Sequence, residues 1–305
     1  MTELDLTHES AGRFIAYVGM ETDLIFNQGI ELPGGFASFP LLEDPGTRAL
    51  VQSYSTRHIE LASKYGFGTI LETATWLASR DRAPEGYTPE ALAKVNRDAV
   101  ELLVQTRNAS NAENVLISGN VGPQSDGYLP TEQMSADDAQ AYHAEQIGHF
   151  PKELDVVSGY TLTYAAEAIG IARAAKAAGF PVVISLTVET DGQLPTGQSL
   201  GEAIDEIDSA TGNYVSYFMV NCAHPDHFKS SLTAHPRLQG VVVNASRCSH
   251  AELDEAEELD DGNPHELGGE IAEILGSNPE MKVFGGCCGT DFRHLEAMAR
   301  EVQKL

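Results

Sequence analysis

A chain of 305 residues fits either two ordinary domains or one large barrel of about 250 residues with additions. Its 45 Asp+Glu against 19 Lys+Arg give a formal net charge of −26, which argues against a nucleic-acid binder, because that role needs clustered cations. No apolar run approaches the roughly 20 residues a bilayer requires, and Met1–Ser10 is acidic where a signal peptide would be basic and then apolar, so a cytoplasmic protein without a membrane partner is expected.

In chain order, short β-branched or apolar runs alternate with longer stretches of helical character, the rhythm of βα units around a parallel sheet. The runs are Phe14–Val18, Thr69–Thr73, Val115–Gly119, Asp155–Tyr160, Val182–Leu186, Tyr217–Val220, Gly240–Asn244 and Lys282–Phe284, each bounded by turn residues. Between them Arg48–Tyr65, Pro89–Asn108, Ala136–Phe150, Ala165–Ala178, Leu200–Thr211 and His294–Val302 carry apolar residues at three- and four-residue spacing and are predicted to be outer helices. Eight strands predict an α/β fold, a (β/α)8 TIM-type barrel. Without a repeat, a low-complexity tract or a linker, residues 1–305 read as one domain. The Gly- and Pro-rich stretch Gly29–Pro45 is too long for a simple connector and is expected to fold over the barrel mouth. The acidic stretch Ala251–Asp261 reads as a solvated face.

Barrel enzymes place their chemistry at the C-terminal ends of the strands. Cys222 follows the sixth run in Tyr217-Phe-Met-Val-Asn-Cys222, and a vicinal pair follows the eighth in Val283-Phe-Gly-Gly-Cys-Cys-Gly-Thr290. Only one strand separates these ends, so the three sulfurs can converge. Three thiolates suit Zn²⁺ in a tetrahedral site whose fourth position stays free. The flanking glycines fit an irregular backbone, because adjacent side chains of a regular strand point to opposite faces. At this stage three unrelated buried thiols, a redox pair at Cys287-Cys288, and ligation by His224 or His227 remain open. Cys248 reads as incidental.

Asn221-Cys222 after a strand, Gly285-Gly-Cys-Cys-Gly-Thr290 and Ser118-Gly-Asn-Val-Gly-Pro123 together resemble the homocysteine S-methyltransferase family, zinc-dependent thiol methyltransferases related to betaine-homocysteine methyltransferase. The resemblance covers nearly the whole chain, with weaker agreement at Gly192–Leu200, at Thr73–Ser79 and at Glu167-Ala168. It implies a (β/α)8 barrel with zinc held by Cys222, Cys287 and Cys288. It also implies transfer of a methyl group from an onium or other activated donor to a small thiol, homocysteine or a related one, in the manner of methionine biosynthesis. A free thiol is only a few per cent ionised at pH 7, whereas a zinc-bound thiol is deprotonated, so coordination creates the nucleophile.

Members of this family carry an acid in an Asp-Gly-Gly-like turn after strand 1 and a Glu-Thr pair after strand 4, which hold the amino group of homocysteine. Tyr17 and Tyr160 stand at those positions here. A phenol cannot neutralise an ammonium, so the sequence points away from homocysteine unless Glu21, Glu72 or Glu189 substitutes. Tyr17, Tyr160 and Trp76 are candidates for a cage around an onium group, at roughly 0.5–2 kcal/mol per contact, or simply pack the barrel mouth. Thr73, Thr75 and Asn244 are candidates for orienting a substrate carboxylate, and Asn221 completes the expected substrate-binding set. The competing reading is a non-catalytic zinc- or thiol-binding protein built on the same barrel. A zinc hydrolase is disfavoured, since such sites rely on His or carboxylate ligands.

Overall fold

The computed structural model describes residues 12–128, 132–230, 232 and 235–305; the acidic start Met1–Ser10 lies outside them. Eight parallel strands close into a barrel in sequence order: β1 (Phe14–Ala16), β2 (Gly68–Glu72), β3 (Val115–Val121), β4 (Val156–Leu162), β5 (Val182–Leu186), β6 (Phe218–Asn221), β7 (Leu238–Val243) and β8 (Val283–Gly286). The last strand pairs with both β7 and β1. All eight predicted runs therefore form the barrel. Their ends shift for local reasons: β1 stops two residues before Val18 because Tyr17 turns into a left-handed conformation, φ 31°.

The helices are α1 (Met20–Thr22), α2 (Pro45–Tyr65), α3 (Pro89–Ser110), α4 (Ala136–Ile147), α5 (Ala165–Ala178), α6 (Leu200–Thr211), α7 (Pro225–Phe228), α8 (His250–Asp254), α9 (Pro264–Ser277) and α10 (Phe292–Val302). Helix α5 illustrates the sequence logic. Its Ala-rich chain presents no bulky obstacle between α4 and the sheet, and Gly179 ends it at φ 82°, donating its N–H to Lys176. Sequence periodicity does not reveal α9, which carries Gly268-Gly269 in its middle. The structure explains the first glycine: a Cβ at Gly268 would lie 2.8 Å from the carbonyl carbon of Ala297 in α10. None of the described helices is long and apolar enough to cross a membrane.

Two apolar layers hold the fold together. One lies between strands and helices; the other fills the barrel and includes Phe14, Ile70, Val156, Tyr217, Met219 and Val283. Towards the C-terminal strand ends the interior becomes polar. Ser118 and Ser158 share a hydrogen bond of 2.6 Å there, and Glu72 is enclosed beside them. The stretch 29–45 is ordered over the mouth by Leu32, Phe39 and Leu41, with Phe39 edge-on to Tyr87 at 4.9 Å.

Candidate metal centre and substrate cavity

The three predicted sulfurs meet at one point. Cys222 Sγ lies 3.2 Å from Cys287 Sγ and 3.5 Å from Cys288 Sγ, and all three fall within 4.8 Å of one another. A tetrahedral zinc with Zn–S bonds of about 2.3 Å would hold its sulfurs about 3.8 Å apart, so only a small expansion is needed. Three soft donors on one side and a cavity on the other fit a borderline-soft ion with one coordination position free. The glycines of the vicinal motif act mainly by closeness. A Cβ at Gly285 would sit 1.8 Å from the Ala16 carbonyl oxygen, and one at Gly286 would sit 2.3 Å from Thr290 Oγ1. Gly289 alone needs conformational freedom, at φ 77°.

The sulfurs divide their charge unequally. Hydrogen bonds from Cys287 and Cys288 pull the Cys222 thiol well below its usual range, and the thiolate so formed pushes the other two well above it. Tyr128 joins them, its hydroxyl 2.9 Å from Cys222 Sγ and 4.0 Å from Cys288 Sγ. Sequence reasoning did not find Tyr128, which sits in the loop after β3 outside any motif or periodic run. Buried Glu167 pins that loop, accepting from the Gln124 N–H at 2.7 Å and facing His143 at 3.0 Å.

A cavity of about 380 Å³ opens above the sulfurs. Aromatic rings supply much of its wall: Tyr17 and Tyr160 lie 6.4 Å apart at 47°, Trp76 stands beside them, and Phe26 and Phe36 stand at the rim, 43% and 40% exposed. The ionisable lining is acidic, with Glu21, Asp254, Glu258 and Asp260 and with neither Lys nor Arg among the described lining residues. The stretch read as a solvated acidic face is thus also a wall of the cavity. The amide oxygens of Asn120 and Asn244 are buried there without a hydrogen-bond partner.

Tyr17 and Tyr160 each face a carboxyl group. The Tyr17 hydroxyl donates to Glu21, whose second oxygen accepts from Ser38 Oγ at 2.7 Å. Burial raises the Glu21 carboxyl. Tyr160 faces Glu72, which burial pushes up to about 7 against the pull of the Ser118 and Tyr160 hydroxyls. Glu189 instead pairs with His250, 3.3 Å from its Nδ1.

Other predicted residues serve the frame. Asn221 lines the cavity, but its Oδ1 accepts from Thr161 N at 2.9 Å and Ser185 Oγ at 2.7 Å, and its Nδ2 donates to Thr161 Oγ1 at 2.8 Å. These bonds hold Thr161 at φ 62°. Asn244 donates its Nδ2 to the Cys222 carbonyl at 3.0 Å. Thr73 and Thr75 lie outside the cavity lining; their hydroxyls bond each other at 2.7 Å and tie β2 to the Asn120 backbone. Trp76 donates to the Tyr160 carbonyl at 3.2 Å.

The histidines weighed as ligands do not join the sulfurs. His224 groups with Asp226 and Glu270, where Arg247 already bonds both acids, and His227 bonds the Arg247 carbonyl at 2.8 Å. Cys248 is free and half-buried, apart from the sulfur cluster.

A model of the homocysteine S-methyltransferase family matches residues 19–302. The fold is similar to that of the homocysteine methyltransferase MmuM from Escherichia coli. The oxidised form has a TM-score of 0.75 at 18% identity, covering 97% of this chain and 98% of that one. The metallated form has a TM-score of 0.71 at 17% identity, covering 98% and 97%. No curated protein sequence matches significantly.

Proposed function

The chain belongs to the homocysteine S-methyltransferase family, and on that premise we propose that this methyltransferase moves a methyl group from a cationic onium donor to a small thiol held at a zinc centre. One observation carries the reading. Three converging sulfurs form the floor of a cavity whose walls are aromatic and acidic and, among the described lining residues, carry neither Lys nor Arg. Such a lining attracts a sulfonium or quaternary ammonium group and disfavours an anionic donor.

Cys222, Cys287 and Cys288 would hold the ion, which when bound keeps the acceptor thiol ionised at neutral pH. The rings of Tyr17, Tyr160 and Trp76 exclude water and present π-faces to the donor. In the transfer, the acceptor sulfur's electron pair forms the new S–CH₃ bond as the donor's S⁺–CH₃ or N⁺–CH₃ bond breaks, and the donor leaves as a neutral sulfide or amine. Opposite charges cancel in that step, so holding the partners together in a water-poor cavity lowers its barrier.

Glu21 is the best-placed group to receive an amino substituent on the acceptor. It lines the cavity four residues after Tyr17 and has no basic partner among the described lining residues. A buried carboxylate without a counter-cation is electrostatically incomplete, and an ammonium completes it. Homocysteine therefore fits as an acceptor despite Tyr17 and Tyr160. The test is metal analysis of the purified protein together with a screen of thiols against betaine, S-methylmethionine and S-adenosylmethionine. Absence of bound zinc with unaltered turnover in Cys287→Ser would end this reading.

A further inference from the structure

Cys222 adopts a backbone conformation that L-residues avoid, φ 57°. Such a residue persists only where its surroundings over-determine it. Its N–H still bonds Val242 in β7 at 3.0 Å, but its carbonyl accepts from two side chains instead of the ladder. One is Asn244 Nδ2 and the other is His250 Nε2, at 2.6 Å. His250 is the first residue of α8, placed by a capping box between Ser249 and Glu252. Its side chain is buried, and Glu189 Oε1 lies 3.3 Å from its Nδ1, in the loop after β5.

The same imidazole has a second route to Cys222. Its ring stacks on Tyr128 with centroids 4.1 Å apart and planes at 33°, and the Tyr128 hydroxyl stands against Cys222 Sγ. His250 therefore meets Cys222 at both ends, directly at the carbonyl and through Tyr128 at the sulfur. The barrel strands close without this ring, since α8 lies outside the sheet and spans five residues.

We propose that His250 is a positioning residue for the sulfur centre: it fixes the left-handed turn at Cys222 and backs Tyr128, so that the Cys222 sulfur points at Cys287 and Cys288. The inference rests on the functional reading of the sulfur trio, and its test has an arm that is independent of metal. His250→Gln keeps an N–H donor towards the Cys222 carbonyl. His250→Phe keeps the stack on Tyr128 and removes the donor, and His250→Ala removes both.

In cobalt-loaded protein, His250→Ala is expected to weaken Co²⁺ binding about 10–100-fold in competition with a chelator and to dim the thiolate-to-cobalt absorption. His250→Gln should recover most of that loss and His250→Phe only part. If the alanine variant does not fold, the Gln and Phe pair decides the question. In metal-free protein the rate of iodoacetamide labelling at Cys222, resolved by mass spectrometry, should change in His250→Phe and return towards wild type in His250→Gln. Wild-type cobalt affinity, absorption and Cys222 labelling in His250→Phe would overturn the proposal, as would a loss of melting temperature shared by all variants without any of these changes. Wild-type protein that binds no cobalt would instead refute the metal reading, with the labelling arm still reporting on His250.

Discussion

The Tyr17 hydroxyl donates a hydrogen bond to the carboxyl group of Glu21, one helical turn further along the chain. Where the family resemblance implies an acid after β1, this protein has a phenol with a carboxyl group behind it, and that carboxyl group lines the cavity. Glu21→Gln should therefore raise KM about 10–100-fold for homocysteine, the loss expected for one charge-assisted hydrogen bond, and leave a mercapto acid without the amine nearly unaffected. Steady-state kinetics with the two thiols checks this; equal effects on both would remove Glu21 from acceptor recognition.

The sulfur trio makes a stricter demand. Replacing Cys222, Cys287 or Cys288 singly by Ser should lower bound metal by about an order of magnitude or more and abolish methyl transfer, because a tetrahedral site with three protein ligands does not tolerate loss of one. Metal content by atomic emission and product formation by mass spectrometry are the measurements. Cys248→Ser, outside the cluster, should retain both.

Unequal sharing of charge among the sulfurs has a chemical signature. The Cys222 thiol is held low by its neighbours' hydrogen bonds, while Cys287 and Cys288 are held high. In metal-free protein near pH 6, alkylation should modify Cys222 first and leave the vicinal pair largely unlabelled, with peptide mass mapping as the readout. Bound metal should protect all three.

Glu72 links stability to pH. Its carboxyl titrates near 7 in the folded protein, above its ordinary value of 4.5, because burial beside Tyr160, Tyr217 and Ser118 penalises the charge. A raised acid contributes stability that is fully present below pH 4.5 and lost as pH rises through about 7. Glu72→Gln should thus gain stability over wild type between pH 5 and 8, by at most roughly 3 kcal/mol. Melting temperatures of both proteins across that range test the sign.

Much of this was legible in the sequence, for physical reasons. Parallel strands buried on both faces leave continuous apolar runs, and all eight are visible as such. The sulfurs were legible because Cys222 and Cys287-Cys288 follow closely on two of those runs. Helix α9 was hidden because Gly268, needed for close approach to α10, dilutes its helical character. Tyr128 and His250 were hidden because loop residues obey no periodicity, and only the folded chain brings them to Cys222. Thr73 and Thr75 looked like substrate groups because sequence shows a hydroxyl and not the partner it already has. Glu21 was one of three acids offered as a substitute, and only geometry separates it from Glu72, which faces Tyr160, and Glu189, which pairs with His250.

Strand β8 joins β7 to β1, and Cys287 and Cys288 follow it immediately. A ribosome-bound fragment that stops short of this final staple would own one sulfur of the three and could not retain an ion at this site. On the proposed zinc reading, metal uptake would be a late event in the life of the chain, and a held ion would report that the ring of strands has shut.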